Sequence, residues 1–299
     1  MKQVKGFFPE KNDGYKEIAE KFLSSSFNAR QLGRSVRVWE AMNNDDKCTK
    51  YLCLAGALIP GGLKPTIMKI IEYRLTDCLI VTGAMLTHDL IEEFGTHHYE
   101  STGEIDRELR KKQLNRIYDT VLPNEGYLKF EENMQKIMEK LPQEKMSCVR
   151  FIREVGKHVS DNCITGLATK MEIPVFCPSV ADSILGFQAW MYSQDNKLKI
   201  NPMLDIKEIL DRTFEEEKHG AVICGGGIPK HFIAMAAQVA NKPLSYAVQI
   251  TLDRPEHGGV SGARLGEAVS WNKVAPDALT ANVVCDVTIA LPFLVGALL

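Results

Sequence analysis

Short apolar runs alternate with amphipathic stretches along most of this chain. In FNARQLGRSVRVWEAM, residues 27–42, Leu32, Val36, Trp39 and Met42 recur at helical spacing and predict a core-facing helix with Trp39 in the packing. Tyr51–Leu58 (YLCLAGAL) then reads as a buried strand, Pro60-Gly61-Gly62 as a turn, and Lys64-Pro65 as the start of a helix with Ile67, Ile70 and Ile71 on one face. The pattern repeats. Cys78–Val81 is a strand, Thr82-Gly83-Ala84 a turn, and Asp89–Phe94 begins a helix, while residues 104–142 read as helix, turn, helix. A helix over Val149–Val159 precedes a buried strand at Ile173–Pro178 that runs into Ser179–Ser183. Farther on, Ala221–Cys224 leads into Gly225-Gly226-Gly227 and a helix starting near Pro229. Tyr246–Ile250 and Ala281–Asp286 are the last strands, before the apolar helix IALPFLVGALL. Such strand–turn–helix repetition predicts an α/β protein: a doubly wound, mainly parallel, Rossmann-like sheet with helices on both faces.

Residues 1–26 are polar and irregular apart from Phe7-Phe8-Pro9, and predict a loosely packed N-terminal arm able to dock on a neighbouring subunit. Residues 27–299 are expected to form one domain, because Pro142–Lys145, the only composition shift resembling a linker, is too short to separate two.

Charge and cysteine usage narrow the classes. Lys and Arg number 36 against 38 Asp and Glu, for a net charge of -2, and both signs are spread along the chain. This leaves no basic footprint for nucleic acid. The eight cysteines lack Cys-x-x-Cys spacing and mostly sit in apolar runs, so they read as reduced thiols of a cytosolic core rather than disulfides or zinc ligands. His97-His98 point in different directions with no third ligand nearby, and are expected on the surface; no metal site is predicted. The N-terminus lacks the apolar run of a signal peptide, and no stretch approaches the roughly 18 apolar residues of a membrane span. A cytoplasmic location is the expectation.

Candidate chemistry gathers at turns. Gly61-Gly62 can present backbone amides to a phosphate or simply make a tight connection. The stronger signal is Gly225-Gly226-Gly227, where a strand, bare amides and a positive helix end meet, a seat for a pyrophosphate or ribose. Asp182 lies just past a strand's carboxyl end, where open α/β sheets bind ligands. In Ser261–Lys273 (SGARLGEAVSWNK), a carboxylate, an indole and an amine fall within seven residues. On residue types alone, Trp271 can belong to the core with Glu267 and Lys273 on the surface, or all three can converge on one pocket.

SGARLGEAVSWNK resembles the C-terminal active-site segment of deoxyhypusine synthases, with Lys273 at the place of that family's catalytic lysine. The likeness runs from about Phe27 to the C-terminus and includes LRKKQLNRIYDTVLPNEGYLKFEE and the Gly-Gly-Gly-x-x-Lys-His segment at Gly225–His231. It implies a transferase of polyamine metabolism that uses NAD to move an aminobutyl group from spermidine. Lys273, Glu267, Trp271 and His231 are the catalytic candidates. The cofactor candidates are Thr82, Gly83, Asp182, the triple glycine, Ser261 and Asp286. It also implies a homotetramer, a dimer of dimers with active sites at the dimer interface.

An amine attacks only when neutral, and at an ordinary pKa only about 0.04% of a lysine is neutral at pH 7. The pocket is therefore expected to lower the value, through desolvation against Trp271 and repulsion from the nicotinamide ring. Three departures bear on the substrate: Phe187 and Val260 stand where the family has amine-binding aspartates, and Gln249 where it has a tyrosine. Hydrogen bonds to charged groups contribute about 1.5–3 kcal/mol each, so losing two acids weakens spermidine binding by about two to four orders of magnitude. Thr87 and His88 likewise replace two acids before the helix aspartate. The acceptor is a protein lysine on a translation factor, or a small amine such as putrescine, the latter giving homospermidine. A reading of another class is a non-catalytic NAD-binding paralogue that serves as a structural or regulatory partner.

Overall fold

The computed structural model describes residues 3–299. Their contacts form two compact units, both discontinuous in sequence: the chain up to Ala55 with Tyr73–Ile80 and Ile206–Leu299, and Gly56–Glu72 with Val81–Asp205.

The first unit is built on strands β1 (Cys48–Leu54), β2 (Cys78–Val81), β3 (Lys218–Cys224), β4 (Leu244–Ile250) and β5 (Val274–Val283), in the order β5-β4-β3-β1-β2. β1 pairs with β3 in parallel from Cys48↔Lys218 to Leu54↔Cys224, and β3 with β4 from Gly220↔Tyr246 to Cys224↔Ile250. β4 and β5 are parallel too, with a register shift after Leu244. Near-continuous burial of β1 and β3 fits strands covered on both faces. From β1 the chain winds one way to β2 and the other way to β3, β4 and β5. The reversal of a doubly wound sheet therefore lies between the carboxyl ends of β1 and β3, where ligands bind in such folds.

Helix Phe27–Asn43 packs on β4 and β5 and buries Trp39 completely, as its spacing predicts; the indole N–H reaches the Leu75 carbonyl at 3.4 Å. The stretch expected to be an irregular arm contains helix Tyr15–Ser24. Its apolar side meets the C-terminal helix Val287–Leu298, where the Phe22 ring stacks on Phe293 with centroids 5.6 Å apart and Tyr15 meets Phe293 edge-on. Four apolar positions, Ile18, Ala19, Phe22 and Leu23, outweigh the polar average that suggested a loop.

In the second unit, helix Gly83–Glu93 begins directly at the turn after β2 rather than at Asp89. Asp89 is fully buried and caps helix Ile164–Lys170, accepting from the Ile164 and Thr165 amides at 3.0 Å each and from the Thr165 hydroxyl at 2.9 Å. The helix–turn–helix expected over 104–142 is interrupted by an antiparallel hairpin, Leu114–Ile117 with Thr120–Pro123. Tyr118 takes φ +55 in its two-residue turn, a geometry that apolar spacing does not reveal. The strand expected at Ile173–Pro178 shrinks to Val175–Phe176.

His97 is exposed, but His98 corrects the surface reading. Its side chain is only 5% exposed, with Nδ1 2.8 Å from Glu92 and Nε2 2.9 Å from His88 Nδ1. Burial, with the His98 charge beside it, pushes His88 down to about 4. Burial raises the Glu92 carboxyl, but bonds from His98 and the nearby Lys64 outweigh this and bring it below its usual value. Among the described residues, seven of the eight cysteines are buried free thiols and Cys285 is partly buried. No helix among them is long and apolar enough to cross a membrane.

Candidate active site

The first unit's site starts where β3 ends. Gly225, Gly226 and Gly227 have φ of +84, +141 and +57, a run that side-chain-bearing residues rarely adopt. The Gly225 amide donates to the Ile250 carbonyl at 2.8 Å and the Ala55 amide to the Cys224 carbonyl at 3.0 Å, so the turn is fastened to the ends of β1, β3 and β4. A Cβ on Gly226 would lie 2.7 Å from Ser261 Cα; the bare backbone lets the two segments touch. Above Gly227 there is open space, and it begins helix Gly227–Val239. A helix N-terminus thus lies at the sheet's switch point, a kind of place where a phosphate or ribose can bind.

Residues 259–273 form a chain of tight turns beside it. Gly262 and Ala263 donate to the Gly259 carbonyl, Glu267–Val269 is a single 3-10 turn, and the Lys273 amide donates to the Ala268 carbonyl at 3.0 Å. Asn272 has φ +54, and the Lys273 carbonyl accepts from Leu244 at 3.0 Å. Lys273 is consequently held on both sides of its Cα just before β5. Its Nζ stands 5.1 Å from the centroid of Trp271, a cation–π contact. Trp271 is 58% exposed, which removes the reading that places it in the core.

His231, on the first turns of helix Gly227–Val239, is partly buried. Burial lowers its imidazole, and the charges of Lys273 and Lys230 lower it further. Glu267 is exposed and acts on Lys230 through space. Asp286 caps helix Val287–Leu298, its Oδ1 accepting from the Thr288 amide at 2.7 Å and hydroxyl at 2.6 Å. Lys273, Trp271, Glu267, His231, Ser261, Asp286 and the triple glycine all belong to this unit.

Thr82, Gly83 and Asp182 belong to the second unit. Thr82 caps helix Gly83–Glu93 by accepting from the Met85 amide at 3.4 Å. Gly83 has Ser183 against the face where a Cβ would stand, so its missing side chain admits the 179–183 segment. Asp182 is exposed.

Sequence reasoning missed Lys230. Its side chain is buried, and Nζ donates to Gln249 Oε1 at 3.1 Å and to the Val260 and Ala263 carbonyls at 2.9 and 2.6 Å. Burial pulls its amine down to about 8, opposed by Glu267 and reinforced by Lys273. The available signal was a single lysine in GIPKHFIAMAAQV, a helix otherwise nearly all apolar. Gln249 is 2% exposed and fully engaged, since its Nε2 donates to the Ser261 carbonyl at 2.9 Å. Phe187 and Val260 remain 58% and 41% exposed.

A parallel, doubly wound sheet with a glycine turn at its switch point, and helices around it, defines the class as α/β. The family model for deoxyhypusine synthase matches residues 17–298, and the chain belongs to that family. It is 39% identical over 296 residues to a protein of Methanosarcina acetivorans named "Probable deoxyhypusine synthase 1", covering 98% of this chain and 93% of the relative. It is also 38% identical over 295 residues to "Probable deoxyhypusine synthase 1" of Archaeoglobus fulgidus, covering 97% and 96%. The fold matches the crystal structure of "a putative deoxyhypusine synthase from Entamoeba histolytica" with a TM-score of 0.68 at 18% identity, over 98% of this chain and 96% of the other.

Proposed function

We propose that this chain catalyses NAD-dependent transfer of an aminobutyl group from spermidine, or a related amine, to an acceptor amine through an imine on Lys273. The observation that carries the reading is the Lys273 amine over Trp271, on a backbone fixed on both sides and in the same unit as the glycine turn. The turn fits the cofactor because its positive-φ backbone carries no side chains and nothing lies within 4 Å of where a Cβ of Gly227 would stand. Gly225, Gly226, Gly227, Ser261 and Asp286 would hold it; Thr82, Gly83 and Asp182 are candidates on the family resemblance alone. Bound there, NAD would supply hydride acceptance and return at the carbon beside the donor's secondary amine.

The remaining steps fall to the chain's own groups. Neutral Lys273 attacks the oxidised carbon, and diaminopropane leaves as the C=N bond passes to Nζ. The acceptor amine then displaces Lys273 in the same way, giving an imine on the acceptor whose reduction to a secondary amine would fall to the cofactor. His231, held towards its neutral form by burial and two nearby cations, accepts the proton shed by the attacking amine. Glu267 steadies the substrate ammonium, and the Trp271 ring keeps water from one side of Lys273. A cytoplasmic location and assembly as a dimer of dimers belong to the same reading.

Diaminopropane release tests it. With NAD and spermidine, the protein is expected to release diaminopropane in step with aminobutyl appearing on the acceptor, assayed with a translation-factor lysine in one arm and putrescine in the other. Omission of NAD or Lys273→Arg should abolish release. NAD binding without turnover of any amine in either arm would overturn the proposal in favour of a non-catalytic paralogue.

A further inference from the structure

The buried ammonium of Lys230 calls for an account, because a charge removed from water is retained only where the surroundings repay its lost hydration. Its three acceptors are neutral oxygens: one from the side chain of Gln249 and two from the backbone of a single short segment, at Val260 and Ala263. Gln249 completes the set by donating to the Ser261 carbonyl between them. Two side chains, one on the helix after the glycine turn and one on β4, thus hold three carbonyls within four residues of the segment that leads to Lys273.

We propose that Lys230 and Gln249 are positioning residues that clamp the 260–263 segment and thereby set where the Lys273 amine stands. The inference rests on reading Lys273 as the nucleophile. Geometry shows how a displacement would travel. Leu265 donates to Asn282 Oδ1 at 3.1 Å, Glu267 to the Arg264 carbonyl at 3.0 Å, and Ala268 to the Leu265 carbonyl at 3.2 Å, before Lys273 donates to Ala268. No long loop intervenes to absorb a shift. Ser261 also lies against Gly226, so the clamp sets the gap between the glycine turn and the lysine-bearing segment. Without the ammonium, the partly buried carbonyls of Val260 and Ala263 lose their donor and the segment gains freedom to turn toward water.

The test compares Lys230→Met and Gln249→Leu with wild type by three readouts. Peptide-resolved hydrogen exchange of 262–273, without any ligand, is expected to quicken at least tenfold in Lys230→Met and severalfold in Gln249→Leu, with the sheet strands unchanged. Acetylation of Lys273 by acetic anhydride should change at least threefold while that of exposed lysines stays constant. In turnover at saturating NAD, kcat is expected to fall at least tenfold in Lys230→Met with KM for the amine within twofold, a split that general loss of folding does not produce. If Lys230→Met does not fold, Gln249→Leu, which retains the ammonium and both backbone bonds to it, decides the matter. Wild-type exchange and wild-type Lys273 acetylation in the folded variants would overturn the clamp. The first two readouts need no substrate. A wild-type protein inert toward every amine would therefore sink the functional reading while leaving the clamp separately judged.

Discussion

Adding one methyl group to the glycine turn separates two costs that the structure assigns to different positions. At Gly226, φ is +141, a region open essentially to glycine alone, and an alanine there is strained by about 1–3 kcal/mol. Its Cβ would also stand 2.7 Å from Ser261 Cα and 3.0 Å from Ser261 Cβ, where carbon atoms prefer about 3.5–4.0 Å. Backbone must therefore move, and overpacking of this kind adds about 1–3 kcal/mol. At Gly227, φ is +57 and nothing lies within 4 Å, so Gly227→Ala incurs only the left-handed penalty, about 1 kcal/mol. Gly226→Ala is thus expected to lose about 2–6 kcal/mol and Gly227→Ala about 1. For a protein of this size, each kcal/mol lowers the melting temperature by about 2–4 °C. Thermal melts followed by circular dichroism, with NAD titration of whatever remains folded, check the order. Gly226→Ala should melt lower and bind NAD more weakly, because the new methyl pushes Ser261 away from the turn. If Gly227→Ala is the more damaging, or both are neutral, the close approach of turn and segment is wrong.

Two further outcomes are expected. His88 sits near 4 in the folded protein against about 6.5 when unfolded. As pH falls from 6.5 to 4, the unfolded chain binds a proton that the folded one refuses, so stability should drop by up to about 3 kcal/mol across that window. Denaturant melts at stepped pH should show the drop in wild type and a flatter profile in His88→Gln; equal profiles would contradict the buried contact with His98. Asp286 is both helix cap and cofactor candidate, and two substitutions part the roles. Asp286→Asn keeps an acceptor for the Thr288 amide and should retain stability while weakening NAD binding, whereas Asp286→Ala should also lose about 1 kcal/mol in denaturant melts. Unchanged NAD affinity in both would leave Asp286 as a cap alone.

The inner strands β1, β2 and β3 were readable because they are short and apolar and lead into segments with glycine, each a local feature, whereas β5, expected at Ala281–Asp286, runs from Val274 to Val283 through a partly exposed stretch. Helix Phe27–Asn43 was equally plain, its four apolar positions falling on one face. Sequence reading failed where conformation depends on few residues or on partners distant in the chain. Hairpin Leu114–Pro123 turns on Tyr118 at φ +55, and helix Tyr15–Ser24 is secured by Phe293, far away near the other end of the chain. His98 looked like a surface residue because neither His88 nor Glu92 can be matched to it without the fold. At the site, Lys273, Trp271 and Glu267 could be found as neighbours in sequence. Lys230 showed only as one lysine in an apolar helix; what it holds could not be read, since two of its acceptors are backbone carbonyls at least thirty residues away, and carbonyls leave no mark in composition.

Borohydride trapping tests the central claim most directly. The protein is incubated with NAD and spermidine or a related amine, reduced, digested and weighed by mass spectrometry. An added aminobutyl group on the peptide bearing Lys273, absent without NAD and absent in Lys273→Arg, is the result expected. An adduct on another lysine, or none with any amine while NAD is bound, would contradict it.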